Sequence, residues 1–292
     1  MIKKNWKDKL FDICNTIFMI ILMIIMVYPL WHALIASISN SNLLMAHEGL
    51  LLWPKGFTTA AYEMVAKNLN IISGYINTIF VVVVGTILST FVTALGAYCM
   101  SRKPFPHQRL IMFMLVFTMY FSGGMIPRYL LLNNTLHLGN NIWILILPNL
   151  VTTYNLIVMR TGFEAIPDSL EESAQMDGAN HFTILFKIII PIALPSMAII
   201  ILFYAVSYWN AWFDASIFIN QRDKLPLQVI LREILLQNSE ESMMGGADGD
   251  KVAIAESIRY ATMMVATVPI LVIYPFVQKY FVKGAMVGAV KG

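Results

Sequence analysis

Six long stretches of the chain are almost without charged residues, and this feature constrains the fold more than any other. A helix rises about 1.5 Å per residue, so roughly 20 mostly apolar residues cross the hydrocarbon core of a bilayer. Arg128, near the end of the third stretch, is the one charged residue among them. The stretches are Ile13–Ile38, Gly74–Met100, Leu110–Leu131, Ile142–Met159, Ile188–Trp212 and Tyr260–Gln278.

The length of these stretches also indicates their secondary structure. Backbone polar groups in lipid need internal partners, and runs this long favour helices over the shorter strands of a barrel. We therefore predict an all-α fold: a polytopic membrane protein whose six transmembrane helices lie within residues 13–282.

Composition supports a bilayer as the solvent and excludes several classes of function. Only 13% of the residues are charged, about half of the roughly 25% typical of soluble domains. The net charge of +3 is small, and no basic run interleaved with aromatic residues indicates nucleic-acid binding. Cys14 and Cys99 lie at the ends of apolar stretches, which favours free thiols that pack as small hydrophobic side chains. The spacing of His, Cys and acidic residues indicates no metal site.

The distribution of Lys and Arg predicts the orientation, because cytoplasmic loops carry an excess of both. Lys3, Lys4, Lys7 and Lys9 precede the first stretch, within residues 1–12. If this segment is cytoplasmic, the other predicted cytoplasmic segments also contain most of the remaining basic residues, leaving aside those of the long segment 214–259. We predict that both termini, including a tail at 283–292, are cytoplasmic.

Two long segments then lie on the outer side, at residues 39–73 and 214–259. Neither is apolar enough to span a bilayer. The second contains a helix-like piece at Leu227–Leu236, followed by a stretch at Ser239–Lys251 that is rich in Gly, Ser and acidic residues. Such a composition predicts a mobile loop.

The middles of the six stretches hold no Asp, Glu, Lys or Arg. Ion-coupled carriers usually keep acidic or basic side chains at membrane depth, where they bind the driving ion. A solute transporter without them needs another source of energy. The chain also lacks the Gly-x-x-x-x-Gly-Lys-Ser/Thr loop of nucleotide-hydrolysing proteins, so ATP hydrolysis would belong to separate subunits and the chain itself is predicted not to be an enzyme.

The polar loop at residues 162–187, between the fourth and fifth stretches, is strongly patterned. Ser169 and Glu172 have the spacing of a capping box at the start of a helix. Gly178 stands where a left-handed residue ends such a helix, and Asn180 can cap a second helix that leads into the fifth stretch. Pro191 and Pro195 predict a kink in that stretch.

This loop resembles the signature of the membrane subunits of bacterial ABC importers, the EAA motif. That motif reads Glu-Ala-Ala, three residues, Gly, nine residues, Ile, one residue, Leu-Pro. The chain keeps every spacing, with Ser173 in place of Ala and Ile190 in place of Leu. The resemblance implies a coupling helix that docks on a cytoplasmic ATPase. The residues it assigns to coupling are Glu172, Ser173, Ala174, Gly178, Ile188 and Pro191.

Other segments resemble the maltose-permease branch of these importers, which carries sugars. They are Asn77-Thr78, Trp209-Asn210-Ala211-Trp212-Phe213 and the tail from Phe281 to Gly292. The resemblance implies a permease subunit of the bacterial cytoplasmic membrane that imports oligosaccharides. It further implies a second homologous permease, two ATPase subunits that bind ATP and Mg, and an extracytoplasmic solute-binding protein. The outer loop of residues 214–259 is the segment that would meet the binding protein. The chain itself is expected to bind no cofactor or metal, and to contact membrane lipid and the sugar.

Sugar sites use amide groups and aromatic rings, and such residues occur at predicted membrane depth. Helix packing explains each of them equally well, because a buried Asn in lipid needs a partner, and aromatics near span ends can be interfacial anchors. The candidate path residues are Asn77, Asn149, Tyr154, Asn155, Tyr204, Tyr208, Trp209, Asn210 and Trp212.

Two other functions stay open at this point. An ion channel or secondary carrier would move solute without ATPase subunits. An integral membrane enzyme would need converging His, Asp or Ser groups, whereas the histidines are scattered. Neutral and acidic oligosaccharides are both compatible with the sequence.

Overall fold

The computed structural model describes residues 6–102, 105–243 and 249–289. Within these ranges the fold is all-α, and the β pairing consists of one isolated antiparallel bridge between Ser39 and Phe57. The chain divides into two compact units, Met1–Leu69 with Leu231–Val268, and Asn70–Ile230 with Pro269–Gly292.

The α-helices are numbered in chain order. They are α1 (Trp6–Ser37), α2 (Ser41–Met45), α3 (Ala60–Lys67), α4 (Leu69–Ser101), α5 (Gln108–Tyr120), α6 (Met125–Leu130), α7 (Thr153–Glu164), α8 (Asp168–Met176), α9 (His181–Ile184), α10 (Ile190–Ile192), α11 (Leu194–Trp209), α12 (Trp212–Phe218), α13 (Leu227–Met243) and α14 (Gly249–Ala289). Leu131–Thr135 and Leu185–Ile189 are π-helical, whereas Ile142–Leu145, Leu147–Asn149 and Arg222–Lys224 are 3₁₀ turns.

Six membrane spans emerge from these helices, as predicted. Three are single helices, comprising α1, α4 and the part of α14 from Ala253 to Pro275. Three more are bent pairs, and counting each pair as one span gives six. The apolar window of α1 has no buried residues, which suits contact with lipid or with another subunit.

The third span is not one continuous helix. It breaks between Tyr120 and Met125, and its two pieces meet at 110°. The break contains Gly123 and Gly124, and Gly124 has φ +82°, a left-handed conformation that only glycine adopts without strain.

The fifth span bends by 89° between Ile192 and Leu194, in agreement with the kink predicted from its prolines. Pro195 has no N–H for the carbonyl of Pro191, four residues earlier, and its ring crowds that carbonyl. A π-helical turn at Leu185–Ile189 precedes the bend.

The second unit packs around a face of small residues on α4. Gly85 approaches Tyr208 of α11 so closely that an added Cβ would lie 2.8 Å from the ring. Ser89 Oγ lies 2.7 Å from Tyr208 Oη, and Thr93 Oγ1 lies 2.7 Å from Tyr204 Oη. Small residues that let backbones approach, with polar side chains bonded between helices, are typical of packing in membranes.

In the first unit, the end of α1 packs on the segment that follows it. Ile35, Ala36 and Leu51 form a small core, with Tyr260 against it. Trp31 Nε1 donates to Leu52 O at 3.1 Å. These contacts fold the beginning of the predicted outer segment 39–73 onto the span.

Part of the predicted mobile loop is helical. Residues 239–243 belong to α13 and residues 249–251 belong to α14, while 244–248 lie outside the described residues. The composition of the stretch was therefore a poor guide to its backbone, because Ser, Glu and Met can all extend an existing helix. The helix predicted at Leu227–Leu236 is confirmed as part of α13.

Candidate functional site

The loop after α7 forms two short helices, α8 and α9, but the first does not begin as predicted. Helix α8 starts at Asp168, with Pro167 as the cap residue and no side-chain cap. Ser169 already lies in the first helical turn, and its carbonyl accepts a bond from Ser173 Oγ at 2.8 Å. The capping box of Ser169 and Glu172 was therefore wrong. Asp168 in the first turn stabilises the helix through its charge.

The end of α8 and the start of α9 are confirmed. Gly178 has φ +80°, its N–H donates to Gln175 O at 3.0 Å, and Ala179 N–H donates to Ala174 O at 2.9 Å. This pair of bonds is a Schellman motif, which ends a helix. Asn180 Oδ1 then accepts from Thr183 N at 2.8 Å and caps α9.

The predicted coupling residues fall on different faces. Glu172 and Ser173 are exposed, and Met176 beside them is 89% exposed, whereas Ala174 is buried. Gly178 forms the turn after α8. Ile188 is half-buried in the π-helical turn, and Pro191 is exposed in α10.

The buried acid of α8 is Glu171, which the sequence did not indicate. It is 8% exposed, and its Oε1 accepts from Tyr98 Oη at 2.9 Å and from Gln175 Nε2 at 3.1 Å. Its Oε2 lies 3.2 Å from Arg102 Nε, an ion pair in which the N–H does not point at the oxygen. Glu171 lies three residues before the buried Ala174 and therefore on the same face of the helix. This spacing is the one local sequence signal for its burial.

A pocket of about 550 Å³ lies beside this ion pair, at the end of α4. Its polar part is acidic, because Asp168, Glu171 and Glu172 outnumber Arg102. The remaining lining residues are Leu95, Tyr98, Cys99, Phe105, Gln175, His181, Phe182 and Leu185.

A second cavity, of about 600 Å³, brings together five of the nine predicted path residues and no charged side chain. Tyr154 is 55% exposed and packs at 6.0 Å from Phe203, ring centre to ring centre. The wall combines amide, hydroxyl and aromatic groups with the aliphatic side chains of Leu202 and Val206. The cavity is lined by Asn149, Thr152, Tyr154, Asn155, Leu202, Phe203, Tyr204, Val206, Ser207 and Tyr208.

Two of the cavity tyrosines also hold helices together. Tyr204 Oη accepts from Thr152 N at 3.1 Å and bonds to Thr93. Tyr208 bonds to Ser89 and donates to Asn149 O at 3.3 Å. The rings are 1% and 4% exposed respectively, so packing accounts for most of each side chain.

The other four predicted path residues are not among those that line this cavity. Asn77 Nδ2 donates to Asp223 O at 2.7 Å and to Leu225 O at 3.1 Å, and so holds the segment before α13. Trp209 packs edge-on against Tyr75, and Asn210 Nδ2 donates to Val206 O at 2.8 Å. Trp212 begins α12, with its ring against Phe213.

The ion pair of Arg128 and Asp214 joins α6 to α12 and was also missed. Arg128 Nη1 and Nη2 donate to the two oxygens of Asp214 at 2.8 and 2.7 Å. Asn149 Nδ2 lies 3.3 Å from the same carboxylate. Bidentate arginine–carboxylate pairs are the strong form of the salt bridge. This one fixes Asn149 at the rim of the uncharged cavity.

Comparison with known proteins gives one consistent result. The family model described as "Binding-protein-dependent transport system inner membrane component" matches residues 80–287. The chain is 40% identical over 290 residues to the polygalacturonan/rhamnogalacturonan transport system permease protein YtcP of Bacillus subtilis (strain 168), covering 98% of this chain and all of the relative. It is 35% identical to protein LplC of the same organism, covering 97% and 96%.

A solved structure is similar over nearly the whole chain. It is a chain from the crystal structure of a bacterial ABC transporter involved in the import of the acidic polysaccharide alginate. The TM-score is 0.86 at 31% sequence identity, covering 96% of this chain and 100% of that one.

Proposed function

The chain belongs to the family of binding-protein-dependent transport system inner membrane components, and from that premise we propose that it imports oligosaccharides by coupling its helices to separate ATPase subunits. Membership makes it a non-catalytic membrane permease subunit. We assign ATP hydrolysis to partner subunits, which carry the ATP and Mg.

The observation that carries the proposal is the continuity between an exposed helical face and the uncharged cavity. The outward face of α8 presents Glu172, Ser173 and Met176. The chain then runs through α9 and the 89° bend into α11, which supplies Tyr204 and several other residues of the cavity wall. A displacement of α8 by an ATPase would therefore reach the solute path through one connected stretch of chain.

The residues assigned to coupling are Glu172, Ser173, Ala174, Gly178, Ile188 and Pro191, each with a distinct part. Glu172 and Ser173 face the ATPase, Ala174 seats α8 against the bundle, and Gly178 sets the turn into α9. Ile188 and Pro191 lie before the bend and transmit the movement.

The second part of the proposal concerns the substrate. The names of YtcP and of the alginate transporter point to chains of acidic sugars, and the cavity offers hydroxyl and amide groups and the ring of Tyr154. Such groups suit the hydroxyls and flat faces of sugars. Because this wall has no charge, we assign the carboxylates of an acidic sugar to the binding protein and to the second permease subunit.

The third part concerns the assembly. We place both termini in the cytoplasm of a bacterium and the segments 39–73 and 214–259 outside, where the latter meets the solute-binding protein. The excess of Lys and Arg in the inside segments supports this orientation. Fluorescence from a C-terminal fusion that matures only in the cytoplasm would check it, and a dark, membrane-inserted fusion would contradict it.

A charge on the outward face of α8 tests the docking. Met176→Glu places a carboxylate at a site that is 89% exposed, so the subunit should fold and reach the membrane. The desolvated charge should prevent the ATPase from binding, and co-purification of the ATPase should fall about tenfold or more.

Met64→Glu is the matched control, because Met64 is also exposed and lies in α3. It should leave ATPase co-purification unchanged. Wild-type recovery of ATPase with the Met176→Glu subunit would contradict docking at this face.

A further inference from the structure

A buried ion pair lies where α4 and α7 end, and the proposed docking face does not use it. The side chains of Arg102 and Glu171 are each 10% exposed. Charges this buried persist only when they are paired and hydrogen-bonded. The pair joins α8 to the bundle, whereas the next residue, Glu172, is exposed.

Arg102, just after α4, reaches three other parts of the chain. Its Nη2 donates to Phe163 O at 3.0 Å, and its Nη1 donates to Asp168 Oδ1 at 3.0 Å. The carbonyl of Ile166 lies 3.4 Å from Nη1. Carbonyls at the end of a helix have no partner within it, and a cation there is stabilised by the helix dipole. Arg102 therefore caps α7 while holding the first turn of α8.

A second arginine makes the reciprocal contact. Arg160 of α7 donates through Nε to Met100 O, near the end of α4, at 2.9 Å. Gln108 Nε2 donates to the same carbonyl at 2.8 Å. The ends of α4 and α7 are thus tied to each other from both sides, and the two helices end as one block.

Glu171 contacts Arg102 through Oε2, and it connects α8 to the ends of α4 and α7 through Oε1 as well. Tyr98 of α4 donates to Oε1 at 2.9 Å, and its hydroxyl also lies 3.3 Å from His181 Nδ1 in α9. Asp168, the other acid facing Arg102, has a side chain that is 82% exposed, so solvent weakens its hold. Glu171 is the buried link.

We propose that Glu171 and Arg102 are positioning residues that make α4 and α7 move with α8 when the ATPases close. The chain itself links α8 forward to α9 and α11. The ion pair adds a second route, from α8 across to α4, so that helices on both sides of the uncharged cavity respond together. This inference rests on the proposed coupling function of the loop.

The experiment uses the complete importer in proteoliposomes, and compares sugar uptake with ATP hydrolysis in the same preparation. Glu171→Gln removes the charge and keeps the shape, and Tyr98→Phe removes a single hydroxyl from the same link. In Glu171→Gln, ATPase co-purification and ATP hydrolysis should stay within about twofold of wild type. Sugar moved per ATP should fall about tenfold, a usual size for coupling between sites. Tyr98→Phe should lower the same ratio by a smaller factor.

Glu256→Gln is the matched control, since Glu256 pairs with Arg259 one turn later in α14. It should keep the wild-type ratio of sugar to ATP. A merely structural role for Glu171 would lower uptake and hydrolysis in parallel, and that result would overturn the proposal. So would a wild-type ratio in Glu171→Gln or, if that variant fails to accumulate, in Tyr98→Phe.

The same experiment distinguishes a failure of this inference from a failure of the proposed coupling function. Wild-type importer that moves sugar without ATP would overturn the coupling function as a whole. ATP-dependent uptake by wild type together with a normal ratio in both variants would overturn the positioning role alone.

Discussion

Glu171 and Glu172 are adjacent, yet they face opposite environments. Successive residues of a helix are turned by about 100°, so one carboxylate points at Arg102 while the next points outward. The buried acid settles the seating of α8 on the bundle, and the exposed acid is free to meet another protein.

At the same scale, Gly178→Ala tests how sharply α8 must end. The left-handed conformation at φ +80° costs an L-residue about 1 kcal/mol or more. The Schellman bonds to Gln175 and Ala174 should then open more often. Hydrogen exchange of the amides of Gly178 and Ala179 in the purified subunit should accelerate about fivefold for each 1 kcal/mol lost.

Gly123→Ala provides the comparison for this prediction. An added Cβ at Gly123 would meet nothing within 4 Å, and this residue is not left-handed. It should leave exchange at 178 and 179 unchanged. Unaltered exchange in Gly178→Ala would show that the turn does not depend on glycine.

At the scale of elements, α4 and α11 meet along a seam of hydrogen-bonded side chains in the second unit. Two tyrosines of α11 bond to Ser89 and Thr93 of α4, and both line the uncharged cavity. The seam thereby fixes one wall of the cavity while leaving Tyr154 on α7 exposed.

Gly85→Ala should loosen this seam. The new Cβ would lie 2.8 Å from the ring of Tyr208, and overpacking of this kind costs about 1–3 kcal/mol. Thermal unfolding of the purified subunit in detergent should shift to a lower midpoint. Gly96→Ala, whose Cβ would meet only the flexible end of Leu156 at 3.2 Å, should shift it less. An equal or smaller shift in Gly85→Ala would contradict close packing between Gly85 of α4 and Tyr208 of α11.

The elements also show what sequence alone could predict. Apolar run length and prolines are local signals, so the six spans and the bend in the fifth were foreseeable. The start of α8 was not, because Asp168 and Ser169 are both acceptable near a helix start and the neighbouring contacts decide. The role of Glu171 depends on Arg102, 69 positions earlier, and the partners of Asn77 lie near residue 224. Contacts over such separations leave no periodic pattern to detect.

At the scale of the whole molecule, charged residues that fall within the spans, such as Arg128, Glu256 and Arg259, lie towards span ends rather than in the middles. Arg102 and Glu171 cluster at one end of the second unit, whereas Arg128 and Asp214 form a pair on α6 and α12. The cavity between α7 and α11 is uncharged.

The most direct test of the central claim is uptake of labelled oligogalacturonide into proteoliposomes that contain this chain, its partner permease and the ATPases. The binding protein is added outside the vesicles. ATP is enclosed inside them, on the side where the ATPase subunits face. We predict accumulation above the external concentration that requires ATP, Mg and the binding protein together, and that is lost with Met176→Glu but kept with Met64→Glu. Equal uptake without ATP, or by this chain reconstituted alone, would contradict the account and identify a channel or secondary carrier instead.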